Sequence, residues 1–268
     1  MVVHLLKESS GAIEFRYDLE WLDRSRAFPV SRFDRVWSDG RLIGLPQEDC
    51  CQALSVPPTR KCQADHGPGM LAIAELLKGA DSPAEDHRTL FEAQLVFWLI
   101  GATDGHAKNF SIFLHPGGGY ALTPLYDVLA AQPSLDARQI ERKRMKLAMS
   151  VGNNNHYLID EIQARHFFQT GEAAGLSPSL VRSAVEGIAA RMAGALASLE
   201  GELPGDFPPA LHESVSAGVQ RRVRVLEAGL ETWPGKLQRT FDRKPAAQGR
   251  GGHTLDKART SPAHAEIG

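Results

Sequence analysis

Asp104, Asn109 and Asp127 are the residues of this chain that best fit a reaction centre. They stand in Gly101-Ala102-Thr103-Asp104-Gly105-His106-Ala107-Lys108-Asn109-Phe110 and, behind a glycine-rich turn, in Leu125-Tyr126-Asp127-Val128. An acid, an amide five positions on and a second acid behind a hairpin are the parts that phosphoryl transfer to a hydroxyl requires. One carboxylate would orient the attacking hydroxyl and accept its proton. The amide and the other carboxylate would hold Mg²⁺ against the nucleotide phosphates. A metal–nucleotide site is the first expectation; against it stands the plain reading of a tight-turn Asp, a helix-start Asn and a cap.

The flanking elements put these residues where such a site needs them. Phe91 to Ile100 is apolar nearly all round, the signature of a helix buried in the middle of a domain, and Gly101 ends it. Asp104 and Asn109 then fall in a loop just past that helix. Residues 110–114 read as a short strand leaving the loop, Gly117-Gly118-Gly119 as a hairpin turn and residues 120–126 as the returning strand, which would fold Asp127 back towards Asn109.

The order of helix, Asp-x-x-x-x-Asn loop, hairpin and second Asp resembles the catalytic segment of protein kinases. The wording departs from it, since no His-Arg-Asp precedes the loop and Tyr126-Asp127-Val128 stands for Asp-Phe-Gly. Thr103 to Ser111 together with Leu122-Thr-Pro-Leu-Tyr-Asp-Val128 instead resembles the HipA family, the serine/threonine kinase toxins of bacterial type II toxin–antitoxin modules. The resemblance continues through Arg32-Phe33-Asp34-Arg35, Leu45-Pro46-Gln47-Glu48-Asp49, Gly67-Pro68-Gly69, Phe97 to Gly101 and Lys146 to Met149, covering about residues 31 to 235.

Carried over position by position, the resemblance implies Asp104 as the catalytic base and Asn109 and Asp127 as Mg²⁺ ligands. It implies Arg32, Phe33 and Asp34 as part of an inter-lobe hinge whose backbone meets adenine, with Ser31 where the family has a Glu. Lys108, inside the loop, could reach a transferring phosphate as a point charge. The cofactors so implied are ATP and Mg²⁺, and the partners a helix-turn-helix antitoxin and a protein substrate tied to translation. The implied fold is mainly α with a small β-hairpin, a protein-kinase-like C-terminal lobe over residues 31–243.

Ahead of the hinge the family carries a small β-rich lobe with a phosphate-gripping lysine. Only residues 1–30 precede it here, too few for such a lobe, and they read as a remnant of its first strand, around Phe15 to Trp21, forming at most a small hairpin. Lys7 is the lysine on a candidate N-terminal strand and reads as an exposed edge residue. Weak nucleotide binding and impaired transfer are the expectation. The alternative is a catalytically dead kinase-lobe fragment that serves, if at all, to bind an antitoxin; a third reading is a metal-dependent hydrolase built on the Asp/His/Asn cluster, which lacks any His-x-His or His-Glu-x-x-His support.

Composition narrows the setting. The 268 residues can bury a full core, and a net charge of -2 gives no global attraction to nucleic acid or membrane. No apolar run approaches the length of a spanning helix and no basic signal-peptide start is present, so the cytoplasm is expected. Cys50, Cys51 and Cys62 lack Cys-x-x-Cys spacing and read as reduced thiols rather than a zinc site with His66. Helices are expected over residues 68–78, 156–170, 178–200 and 208–230. Asp136 to Lys146 reads as a solvated mixed-charge run and His106 as a structural hydrogen-bonding residue. Residues 244–268 read as a disordered tail whose Arg, Lys and His offer only a weak suggestion of nucleic-acid contact.

Overall fold

The structure, a computed structural model, describes residues 3–7, 13–17, 32–203 and 206–233, with side chains from Arg32 onward. Strands β1 (Val3–Lys7) and β2 (Ile13–Tyr17) pair antiparallel from Val3↔Tyr17 to Lys7↔Ile13, the small hairpin expected of this stretch. The side chain of Lys7 and the expected tail, residues 244–268, lie outside the described residues. Strands β3 (Arg35–Ser38) and β4 (Arg41–Gly44) form a second hairpin. Strand β5 (Gln47–Asp49) leads into the short helix α1 (Cys50–Ala53), whose start is closed by a capping box between Asp49 and Gln52.

Helix α2 (Met70–Leu77) occupies the span expected after Gly67-Pro68, and α3 (Pro83–Ile100) is the spine of the molecule. Proline at its first position with Glu85 and Asp86 in the first turn suits a helix N-terminus, and Gly101 takes the left-handed conformation that stops it. Its apolar-all-round pattern has a packing cause. Phe91, Leu95, Trp98 and Leu99 enter one core and Leu90, Ala93 and Phe97 a second, so the helix is covered on both sides. Strands β6 (Ser111–Leu114) and β7 (Tyr120–Leu122) follow the loop, and β6 also pairs with β5 to give the sheet order β5-β6-β7. The returning strand is shorter than expected: its ladder with β6 runs from Leu114↔Tyr120 to Ile112↔Leu122, and one more bond, from Thr123 N–H to the Ser111 carbonyl at 2.9 Å, precedes Pro124.

Helix α4 (Gln132–Asp136) and strand β8 (Lys146–Val151) come next, then β9 (His156–Leu158), α5 (Ala164–Ala173), α6 (Pro178–Glu202) and α7 (Pro209–Thr232). The helix expected over 156–170 is corrected. Its first residues are β9, paired back onto β8 through Lys146↔Leu158 and Val151↔His156, and the helix begins only at Ala164. The expected hairpin is present as β6 and β7, with β5 added at its edge, and three two-stranded sheets accompany it among the described residues. Phe167, Val181, Val185 and Leu226 from α5, α6 and α7 close the first core; Ile73, Leu77, Phe110 and Met149 close the second around Cys50 and Cys51. Both those thiols and Cys62 are free, and burial pushes Cys50 up to about 12, an inert thiol. No helix among the described residues is long and apolar enough to cross a membrane.

Candidate active site

The loop after α3 is pressed onto the helix it leaves. A Cβ on Gly105 would lie 2.2 Å from the Phe97 ring, so only glycine lets the backbone come this close. Ala102 N–H donates to the Phe97 carbonyl at 2.7 Å and His106 N–H to the Asp104 carbonyl at 2.8 Å, which folds the loop into a tight bend. Asn109 is buried, and its side-chain Nδ2 donates to two backbone carbonyls, Asp104 O at 2.9 Å and Asp127 O at 3.3 Å. One amide thus draws together the loop and the far end of the hairpin. Asp127 takes a left-handed conformation, φ 55°, which a short polar side chain tolerates. The structure therefore brings Asp104, Asn109 and Asp127 to one place, with both carboxylates exposed at its mouth.

Around Asp104 the charges are arranged in a way the sequence does not signal. Lys61 Nζ lies 3.8 Å and His106 Nε2 3.4 Å from Asp104 Oδ1. His106 is buried, and neither ring nitrogen has a hydrogen-bond partner, so the expected structural hydrogen bond is not made. Burial lowers its pKa below the ordinary imidazole value, opposed by the Asp104 charge. Lys108, assigned by position to the phosphates, has its ammonium 2.6 Å from Asp49 Oδ2, and that hydrogen bond raises its pKa. Lys61 was missed because nothing in the spacing links it to a loop so much later in the chain.

Arg32, Phe33 and Asp34 stand beside Asp127. With Pro124, Tyr126 and Asp127 they line a cavity of about 540 Å³. Phe33 packs on Tyr126, ring centroids 5.6 Å apart at 33°, and meets the edge of Phe113 at 5.9 Å and 74°. Tyr126 is fixed in turn by its hydroxyl donating to the Lys108 carbonyl at 2.7 Å. The Asp34 carboxylate is consumed by its neighbours, accepting a fork from Arg32 Nε and Nη2 at 2.6 and 2.5 Å and a third bond from Arg35 Nη1 at 2.6 Å. These cations hold its pKa below the usual carboxylate range, and the Asp34 carbonyl accepts Leu45 N–H at 2.9 Å. A flat aromatic wall beside a charged mouth suits a planar base with a polyphosphate tail.

Residues 3–196 match the model of the HipA-like C-terminal domain, and the chain belongs to that family. Two curated relatives place it further. It is 34% identical over 172 residues to Y4mE of Sinorhizobium fredii, a kinase by name, a match that covers 63% of this chain and 38% of that protein. It is 26% identical over 201 residues to the serine/threonine-protein kinase toxin HipA of Shewanella oneidensis, covering 70% of this chain and 44% of the toxin. Among solved structures, a chain of the Shewanella oneidensis MR-1 toxin–antitoxin complex of HipA, HipB and operator DNA shares the fold at a TM-score of 0.64 and 23% identity, over 75% of this chain and 50% of that one. The chain thus spans less than half the length of these curated relatives.

Proposed function

We propose that this chain is the base-bearing C-terminal part of a HipA-type serine/threonine protein kinase, and that its lobe transfers the γ-phosphoryl group of ATP to a protein hydroxyl. The observation that carries this reading is the convergence of Asp104, Asn109 and Asp127 through a single buried amide. Asp104 holds the substrate hydroxyl and takes its proton as the hydroxyl oxygen forms a bond to the γ-phosphorus; the bond from that phosphorus to the bridging oxygen breaks, and ADP leaves. Phe33 and Tyr126 offer the face for adenine, with Arg32 and the Asp34 backbone at its edge.

Asn109 and Asp127 would hold Mg²⁺. The donor set fits: with Nδ2 committed to the backbone carbonyls of Asp104 and Asp127, the Asn109 oxygen is left to accept, and the second of those residues carries an exposed carboxylate. Bound there, the ion would neutralise charge on the phosphate oxygens. The partners that follow from membership are an antitoxin of helix-turn-helix type and a translation-related protein substrate. The presence of HipB in the matched Shewanella complex supports the first.

The chain by itself should bind Mg-ATP weakly, because it spans less than half the length of the kinases it resembles. A second reading, a lobe that binds without catalysis, draws on the same observation and on the binding of Lys108 by Asp49. A radiolabelled phosphate assay separates them. The chain alone is expected to be near background, and a version carrying the small lobe of a full-length relative between Val30 and Arg32 is expected to transfer phosphate in a manner abolished by Asp104→Asn. Transfer that survives Asp104→Asn removes the assigned base; a folded graft that stays inactive favours the binding-only reading.

A further inference from the structure

Two lysines border the candidate site, and their side chains are committed differently. Lys108 belongs to the loop itself, yet its ammonium is locked 2.6 Å from Asp49, whose side chain is 12% exposed. Asp49 at the same time caps α1, its Oδ1 accepting Gln52 N–H at 2.9 Å, so the ion pair is part of the β5–α1 corner. Swinging Lys108 out to a ligand would break a charge-assisted hydrogen bond and strand a largely buried carboxylate.

Lys61 is in the opposite state. Its backbone is fixed while its charge is not consumed. The Lys61 carbonyl accepts Ala107 N–H at 3.4 Å, which ties this segment to the catalytic loop. The chain beyond it turns back tightly, Gly67 N–H donating to the Cys62 carbonyl at 2.9 Å, and a Cβ on Gly67 would lie 2.0 Å from the Arg60 carbonyl oxygen, so this path admits only glycine. The side chain is 42% exposed and its ammonium stands 3.8 Å from Asp104 Oδ1, close enough for attraction and too far for a hydrogen bond. It is free to turn to an incoming anion without abandoning a buried partner.

The site has a need for such a charge. Asp104 and Asp127 are both exposed and both close enough to act on the same imidazole, that of His106. A transferring phosphoryl group is itself anionic, so its approach to the hydroxyl held by Asp104 is opposed by two carboxylates.

We propose that Lys61, and not Lys108, is the cation that meets the transferring phosphoryl group. This rests on the phosphotransferase reading above. The bond changes are those already written: the hydroxyl proton passes to Asp104, the new P–O bond forms and the bond to ADP breaks. Lys61 keeps its protons throughout and donates hydrogen bonds to the non-bridging oxygens as their charge redistributes.

The test uses the full chain and an NMR titration suited to weak binding, with Mg-ADP alone and with Mg-ADP plus aluminium fluoride, a trigonal stand-in for the phosphoryl group. Wild type is expected to bind the fluoride complex more tightly than Mg-ADP. Lys61→Met should lose about tenfold or more of affinity for the fluoride complex, the size of effect seen when a preorganised donor is removed, and keep its Mg-ADP affinity. Lys61→Arg should retain most of the difference. Lys108→Met should keep it as well and lower thermal stability instead. Lys61→Met binding the fluoride complex like wild type, or the loss falling on Lys108→Met, overturns the assignment of Lys61 and leaves the nucleotide site standing. A wild-type chain that binds neither complex overturns the phosphotransferase reading and Lys61 with it.

Discussion

His166 lies 2% exposed under His156, the two rings stacked 3.7 Å apart and nearly parallel, and its Nδ1 accepts the Gln163 N–H at 3.2 Å to close the start of α5. A nitrogen that accepts a hydrogen bond carries no proton. Burial, with the nearby charges of His156 and Arg165, takes this imidazole down to about 4. Its unfolded value is about 6.5, so as pH falls the unfolded chain binds the proton first, and stability present above that pH is lost progressively towards pH 4. The loss between pH 7 and 5 should be about 2 kcal/mol at 1.36 kcal/mol per unit. Urea unfolding at the two pH values checks it: the drop should shrink in His166→Asn, and an equal drop in the variant would sink the assignment. At this scale the candidate site was largely legible. Asp104, Asn109 and Asp127 are polar residues at fixed offsets across a turn, and local chain geometry alone brings such residues near one another. Lys61 and the Lys108–Asp49 pair depend on contacts between distant segments, which no offset encodes.

Arg222 sets the end of the helix from which the loop bearing Asp104 and Asn109 departs. It is buried, donates from Nε to the Leu99 carbonyl at 2.8 Å and from Nη1 to Gln132 Oε1 at 2.9 Å, and so ties α7 to the C-terminus of α3 and to α4. A cation on the last carbonyls of a helix meets the negative end of its dipole. Burial lowers its pKa to about 10, which leaves it charged at neutral pH. Arg222→Leu should cost about 2–3 kcal/mol by loss of charge-assisted bonds, read by urea unfolding. It should also speed hydrogen exchange at Ala102 to Asn109. Unchanged stability and unchanged exchange would show that α3 needs no such clamp. Helices α2, α3, α6 and α7 were legible because a run of apolar residues between Pro and Gly signals is local information. The first residues of the 156–170 segment were misread because β9 exists only through its pairing with β8, and Gly152-Asn153-Asn154-Asn155 is the turn that permits it.

At the scale of the molecule, the β3–β4 hairpin stands out from the rest of the surface. Val36, Trp37, Leu42 and Ile43 are all exposed, Trp37 by 70%, in a sheet of only two strands. Two strands alone are marginal in water, and an exposed apolar group of this kind promotes association. The purified chain should show sedimentation that depends on concentration, reduced by the pair Trp37→Ser and Leu42→Thr with little change in melting temperature. A wild-type chain that sediments as a monomer at every concentration would refute this.

What the sequence determined by itself is whatever short-range rules carry: the buried helix ended by a left-handed glycine, the loop and hairpin that return Asp127 to Asn109, and the motifs that mark the family. Long-range contacts select which lysine faces Asp104, place β8 and β9 where the start of a helix was expected, and spend the Asp34 carboxylate on Arg32 and Arg35. The physical reason is the range of the forces. Backbone propensity and apolar periodicity act over a few residues, whereas an ion pair or a strand ladder is chosen among many partners only when the two cores close and bring remote segments within a few ångströms.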